Sequence, residues 1–305
     1  MDNARLSRQV IRWTAMLMVV MATVAGRSAS AQTRDRIIVS GASGQLGGLV
    51  VETLLKRGVD PRTLILVSRT PAEQEKYARM GASTRFGDFT RPDSLAAAYE
   101  GGTRMLLISI NPLPNRPQLH KNAIDAAVRA GVKHIVYASS VDADNAGDSQ
   151  SAAEHRLTEE YVRASGAAWT MMRHHLYMNG LVGQAQRMLA DGKVVIQPDE
   201  VPAAYVTRED CAAADAAVLS APGHENKIYE ITGPELVLRK DIARIASELT
   251  GKPIEQVAGS GGISQVAPVM AGFAAFRVQT QTVQELTGRP ATSVRQLFEA
   301  TLNRR

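Results

Sequence analysis

Cys211 is the only cysteine in the 305-residue chain, so no disulfide can form within it. Aromatic residues are scarce at 5%, and no low-complexity tract or internal repeat is present. No apolar stretch reaches the roughly 20 residues of a membrane-spanning helix, and the run Trp13–Ala25 covers only 13. A stable membrane span is therefore not expected. A metal constellation is lacking too: His174 and His175 are adjacent, so they do not converge on one ion, and no carboxylates cluster with them. What remains is a globular composition, 45% hydrophobic and 21% charged, with ample material for a core.

The net charge of +5 invites a nucleic-acid reading that the charge distribution withdraws. Arg5, Arg8, Arg12 and Arg27 sit near the N-terminus against Asp2 alone, so three of the five net charges belong to residues 1–31. These residues have the order of a secretory signal peptide: a basic start, the apolar run, then Ser28-Ala29-Ser30-Ala31 with small residues before a cut at Gln32. Export is the expectation; a start site further downstream would leave the protein cytoplasmic. No nucleic-acid partner is expected of the remainder.

After this segment the chain opens with Ile37-Ile38-Val39, a short β-branched run suited to a parallel strand covered on both faces. Gly41-Ala42-Ser43-Gly44-Gln45-Leu46-Gly47 follows, and then Leu46, Leu49, Val50 and Leu54 recur at helical spacing. A strand, a glycine turn and a helix in this order form a phosphate cradle. The first glycine turns the chain, the second lets the backbone approach a pyrophosphate, and the third lets helix pack on strand. Gly41, Ser43, Gly44, Gln45, Leu46 and Gly47 are therefore the expected dinucleotide-binding residues. The second strand, Leu64–Val67, ends in Ser68-Arg69-Thr70. An NAD-selective site would place a carboxylate there, whereas arginine beside a hydroxyl suits a 2′-phosphate, so NADPH is expected over NADH.

The alternation continues with strands at Ser83–Phe86, Met105–Ser109, His134–Ala138 and Ala168–Met172. Helices at Thr90–Glu100, Gln118–Ala130 and Ser151–Ser165 separate them, and the loop Asn111-Pro112-Leu113-Pro114 follows the fourth strand. This predicts an α/β fold, a Rossmann-type doubly wound parallel sheet, over residues 34–175. Residues 176–305 are read as a smaller C-terminal substrate-cleft part, partly interleaved with the core. Its expected strands lie near Ala204–Val206 and Ile228–Ile231, and its expected helices at Glu209–Leu219, Arg239–Leu249 and Val294–Leu302. Gly259–Gly262 reads as a linker-like patch. Ligands of such sheets gather at the carboxyl ends of the strands, which places Asp88, Ser109, Ser139 and Arg173-His174-His175 around the cofactor.

With these residues in view, the chain resembles the NmrA-like atypical short-chain dehydrogenase/reductases, nearest to the branch of type 2 quinone oxidoreductases and triphenylmethane reductases. The resemblance is carried by GASGQLGGLV at Gly41–Val50, Gly87-Asp88-Phe89, AGVKHIVYAS at Ala130–Ser139, AEHRLTE at Ala153–Glu159, TMMRHHLYMN at Thr170–Asn179 and GHENKIYEI at Gly223–Ile231. It implies NADPH binding and hydride transfer to quinones or other flat small-molecule acceptors, and it leaves a homodimer open. It also implies an alternative, since some relatives bind the dinucleotide as redox-sensing regulators without turnover. Most of the superfamily uses a tyrosine with a lysine four residues on. Here the residues four after Tyr77, Tyr99, Tyr137, Tyr161, Tyr177, Tyr205 and Tyr229 are Gly81, Thr103, Val141, Ser165, Leu181, Glu209 and Gly233. A quinone needs no such pair, because it accepts hydride readily.

In that absence the catalytic candidates are His155, Tyr177 and Ser139, with Tyr177 and Asn179 as substrate contacts. Asp88 is expected to accept from the adenine amino group. Ser151-x-x-Glu154 reads as a capping box that puts His155 in a helix's first turn, and Thr207-x-x-Asp210 as another cap. Cys211, in an alanine-rich helix, is expected to be buried and inert.

Overall fold

The computed structural model describes residues 35–110, 115–141, 143–144, 149–198, 200–259 and 274–302. The segment read as a signal peptide, the loop 111–114 and most of the patch at 259–262 lie outside the described residues.

The β-branched runs form the strands of one sheet. They are β1 (Ile37–Ser40), β2 (Leu64–Ser68), β3 (Ser83–Phe86), β4 (Arg104–Ile108), β5 (His134–Ser140) and β6 (Ala168–His174). A short strand, β7 (Lys193–Ile196), lies apart, and β8 (Lys227–Ile231) returns to the sheet. The order is β3-β2-β1-β4-β5-β6-β8, and every pairing is parallel. Strands β1 and β2 are buried at every position, which is why they read as continuous apolar runs rather than alternating ones.

The helices are α1 (Gln45–Lys56), α2 (Glu75–Ala78), α3 (Asp93–Tyr99), α4 (Arg116–Arg129), α5 (Gln150–Ala164), α6 (Leu181–Asp191), α7 (Arg208–Ser220), α8 (Arg239–Thr250), α9 (Thr282–Thr287) and α10 (Val294–Leu302). One face of the sheet packs Leu46, Val50 and Leu54 of α1 with Cys211, Ala212 and Val218 of α7. The alanines of α7 keep it close to the sheet, and Cys211 is a buried free thiol. The other face carries Leu95 and Tyr99 of α3, Ile124 of α4 and Val162 of α5. A further cluster joins Leu181 and Met188 of α6, Ile242 of α8 and Phe298 of α10 to Val194 of β7. No helix among the described residues is long and apolar enough to cross a membrane.

The doubly wound α/β reading thus holds, with three local corrections. Ala204–Val206 is not a strand: it makes only isolated bridges, Tyr177 to Val206 and Ala203 to Val237, because it ties two loops together rather than a ladder. The small sheet of β7 with β9 (Glu255–Ala258) was not legible, since KVVI and EQVA are short and largely exposed. Helix α5 begins one residue earlier than expected, with Ser149 as its N-cap accepting from the Ala152 amide at 3.3 Å. The Ser151-x-x-Glu154 capping box therefore does not exist, and His155 sits beyond the first turn. The Thr207 cap is present: its Oγ accepts from the Asp210 amide at 3.0 Å and donates to Asp210 Oδ2 at 2.7 Å.

Candidate active site

The glycine turn is built by backbone geometry. Gly41 leaves β1 at φ +99°, a left-handed conformation that L side chains rarely adopt, and its amide donates to the Val67 carbonyl at 2.9 Å. A Cβ on Gly47 would lie 2.2 Å from the Gly41 carbonyl oxygen, so only glycine lets α1 start this close to β1. Gly44 is the N-cap of α1, no side chain caps it, and the first turn holds no acidic residue. The first amides of the helix thus face outward without a competing acceptor, a cradle that fits a pyrophosphate.

A cleft of about 810 Å³ runs from this turn across the carboxyl ends of β1 to β4. All six residues read from the turn line it: Gly41, Ser43, Gly44, Gln45, Leu46 and Gly47. Arg69, Asp88 and Ser109 line it as well. Arg69 is exposed at the end of β2, free to reach a 2′-phosphate. Asp88 Oδ1 is held by the Thr90 amide at 2.9 Å and the Thr90 hydroxyl at 2.8 Å, so this turn presents a fixed carboxylate to the same end.

The opposite end is lined by Ile110, Arg116, Ser151, His155, Tyr177 and Arg208. Arg116 is buried. It donates to Glu154 Oε2 at 2.7 Å, to Ser151 Oγ at 3.3 Å and to His155 Nε2 at 3.0 Å. His155 Nδ1 lies 2.8 Å from the buried Tyr137 hydroxyl. Burial, reinforced by the Arg116 cation, pulls the His155 pKa down to about 3. Both of its nitrogens are engaged inside the protein, so it is a neutral support for Arg116 rather than a proton donor. Burial likewise pushes the Tyr177 phenol up, against the Arg208 guanidinium stacked 4.5 Å from its ring. Among the described residues no carboxylate pairs with that guanidinium, so an uncompensated cation lines the cleft.

Three expectations fail here. Ser139 does not line the cleft; its hydroxyl donates to buried Glu159 Oε1 at 2.7 Å because the end of β5 turns it toward α5. Asn179 is occupied between two elements. Its Oδ1 accepts the Arg208 amide at 3.0 Å and its Nδ2 donates to Glu209 at 3.2 Å, which anchors the start of α7 rather than a substrate. Arg173, His174 and His175 are buried behind the site. Arg173 holds Glu159 through two hydrogen bonds of 2.9 and 2.8 Å and also pairs with Asp144 and Glu230. A guanidinium encircled by carboxylates there is a structural hub. Sequence reasoning missed Arg116 and Arg208, since neither falls in a recognisable motif; both are brought to the cleft only by the packing of α4 and α7. No group of three metal-ligating side chains converges among the described residues.

A family model described as NAD(P)H-binding matches residues 41–222. Quinone oxidoreductase 2 of Escherichia coli (strain K12) is 35% identical over 221 residues, 72% of this chain and 76% of that protein. The NAD(P)H azoreductase of Xenophilus azovorans is 28% identical over 282 residues, 87% of this chain and 97% of that protein. Among solved structures, the Escherichia coli NADPH-dependent quinone oxidoreductase complexed with NADPH superposes with a TM-score of 0.80 at 30% identity, covering 88% of this chain and 100% of that one. The Citrobacter sp. triphenylmethane reductase complexed with NADP(H) superposes at 0.76 with 28% identity, covering 87% and 99%.

Proposed function

The chain belongs to the NAD(P)H-binding family, in its NmrA-like branch, and from that membership we propose that it is an NADPH-dependent reductase of quinone-like or other flat acceptors. The observation that carries the reading is the single cleft that joins the glycine cradle and Arg69 at one end to Tyr177 and Arg208 at the other. Bound NADPH supplies a hydride from its nicotinamide ring. The α1 N-terminus and Gly44 hold the pyrophosphate, Arg69 the 2′-phosphate, and Asp88 the adenosine end. The acceptor lies against Tyr177. Arg208 brings a positive charge to the end of the cleft where a quinone or azo acceptor turns anionic as it takes up hydride, and Arg116, paired with Glu154, lines the same end. The quinone, azo and triphenylmethane acceptors for which these relatives are named are all conjugated, which supports the acceptor class.

Turnover decides it. The purified protein should oxidise NADPH in the presence of 1,4-naphthoquinone, an azo dye or malachite green. Tight NADPH binding with no oxidation above background would overturn the enzyme reading in favour of a dinucleotide-binding regulator. For residues 1–31 we propose export with cleavage before Gln32. N-terminal sequencing of the protein from fractionated cells tests this, and an intact N-terminus in the cytoplasmic fraction would refute it.

A further inference from the structure

One chain of titratable groups leads from the interior to the cleft. Asp215, on α7, is 0% exposed, and its Oδ1 lies 2.9 Å from His174 Nε2. Its other oxygen has no hydrogen-bond partner. His174, the last residue of β6, has its Nδ1 3.3 Å from the hydroxyl of Tyr177, a residue that lines the cleft. A carboxylate only accepts, so His174 Nε2 carries a proton and donates it to Asp215. Nδ1 then faces the phenol. A buried carboxylate with a single partner is costly unless that partner carries the compensating charge. The free nitrogen of the imidazole is thus the one aimed at Tyr177.

We propose that Asp215, His174 and Tyr177 form a proton relay that delivers a proton to the acceptor after hydride has reached it. The inference rests on the reductase reading and supplies the proton that a tyrosine–lysine pair provides elsewhere. Hydride brings two electrons to the acceptor and leaves an oxyanion on a quinone, or a nitrogen anion on an azo group. The Tyr177 O–H bond breaks as its proton passes to that anion. The His174 Nδ1–H bond breaks to restore the phenol, and His174 becomes neutral with its Nε2–H still on Asp215. Water entering the cleft after product release returns the proton to His174 through Tyr177. One hydride and one proton are consumed per acceptor. Tyr177 is the catalytic residue; His174 and Asp215 act through it.

The other groups around the relay do not compete for its proton. Cys211, beside Tyr177 on α7, stays a thiol because burial raises it well above its usual range. His155 is held neutral by burial and Arg116. Arg116 and Arg208 are permanent cations, and the Arg208 charge over the Tyr177 ring favours loss of the phenolic proton.

Acceptor chemistry supplies the test. A quinone must gain a proton, whereas cationic malachite green takes hydride at carbon and needs none. Tyr177→Phe, His174→Asn and Asp215→Asn, in the full protein with NADPH, should each lower the ratio of quinone to dye turnover by about 10-fold or more. Quinone turnover by the wild type should show a solvent deuterium isotope effect absent from dye turnover. Two readouts are independent of turnover: a downfield imidazole N–H proton resonance present in the wild type and lost in Asp215→Asn, and unchanged NADP+ affinity in the variants that fold. Equal losses on both acceptors, or no solvent isotope effect on the wild-type quinone reaction, would overturn the relay and leave the reductase reading intact. If the wild type reduces neither acceptor, the reductase reading fails and the relay with it.

Discussion

Arg116 Nη1 donates to His155 Nε2 across 3.0 Å, and because a guanidinium has no acceptor, the His155 proton must sit on Nδ1, facing the buried Tyr137 hydroxyl. His120 is fixed in the same way. Its Nε2 accepts the Ile110 amide at 3.3 Å, and its Nδ1 lies 3.0 Å from Thr158 Oγ1, whose own proton goes to the Glu154 carbonyl at 2.9 Å. Both rings are locked neutral beneath the acceptor end of the cleft.

The lock has a consequence for stability. Burial, first of all, holds His120 and His155 at about 3 each, well below the usual 6.5. Between those values the unfolded chain takes up protons that the folded chain refuses, so stability is complete above about pH 6.5 and falls as the pH drops toward 3. The slope is about 1 kcal/mol per pH unit for each group, to order of magnitude. Melting temperatures recorded from pH 7.5 down to 4.5 should decline, and His120→Asn should make the decline shallower. An unchanged slope in that variant would show that His120 titrates normally in the fold.

Two neighbouring glycines of α1 should behave oppositely. Gly47→Ala drives a Cβ to 2.2 Å from a backbone oxygen, while nothing lies within 4 Å of a Cβ on Gly48. The first should cost about 1–3 kcal/mol or more and weaken dinucleotide binding. The second should be neutral or stabilising by up to about 1 kcal/mol through helix propensity. Chemical denaturation and NADPH titration measure both, and equal effects would refute the close approach of α1 to β1.

Arg69 should discriminate between cofactors. Arg69→Asp is expected to weaken NADPH by about 10-fold to 100-fold, the value of a charge-assisted hydrogen bond, and to spare NADH. Equal losses for the two dinucleotides would remove the 2′-phosphate contact from this residue.

Ser139 should matter for stability alone. Ser139→Ala removes a donor from Glu159, a carboxylate 1% exposed, and should cost about 1–2 kcal/mol. The KM values for NADPH and acceptor should not move. A rise in the acceptor KM with stability unchanged would return Ser139 to the site.

Much of the cofactor half could be read from the chain because its function is carried by consecutive residues. Glycine spacing, strand and helix periodicity and Arg69 all lie within 45 residues of Asp35 in sequence order, and the geometry they impose is local. The acceptor half was less legible. Ser139 and Asn179 stand at plausible positions after strands, yet a strand end does not say toward which neighbour a hydroxyl or amide will turn. The Ser151 capping box matched a pattern that Ser149 pre-empted by two residues, because the helix starts where the chain can first be capped.

The glycine turn shows what the sequence determined by itself: a left-handed Gly41 and a Cβ-free Gly47 allow one conformation, and that conformation makes a phosphate cradle wherever the rest of the chain goes. Only the tertiary structure decided what stands at the other end. Arg116 from α4, Tyr177 after β6 and Arg208 from α7 meet there, and His174 meets Asp215 behind them, 41 residues apart in the chain. Such meetings depend on which faces of three separate elements are buried against the sheet. That is settled by packing across the whole core, and no short stretch of sequence records it.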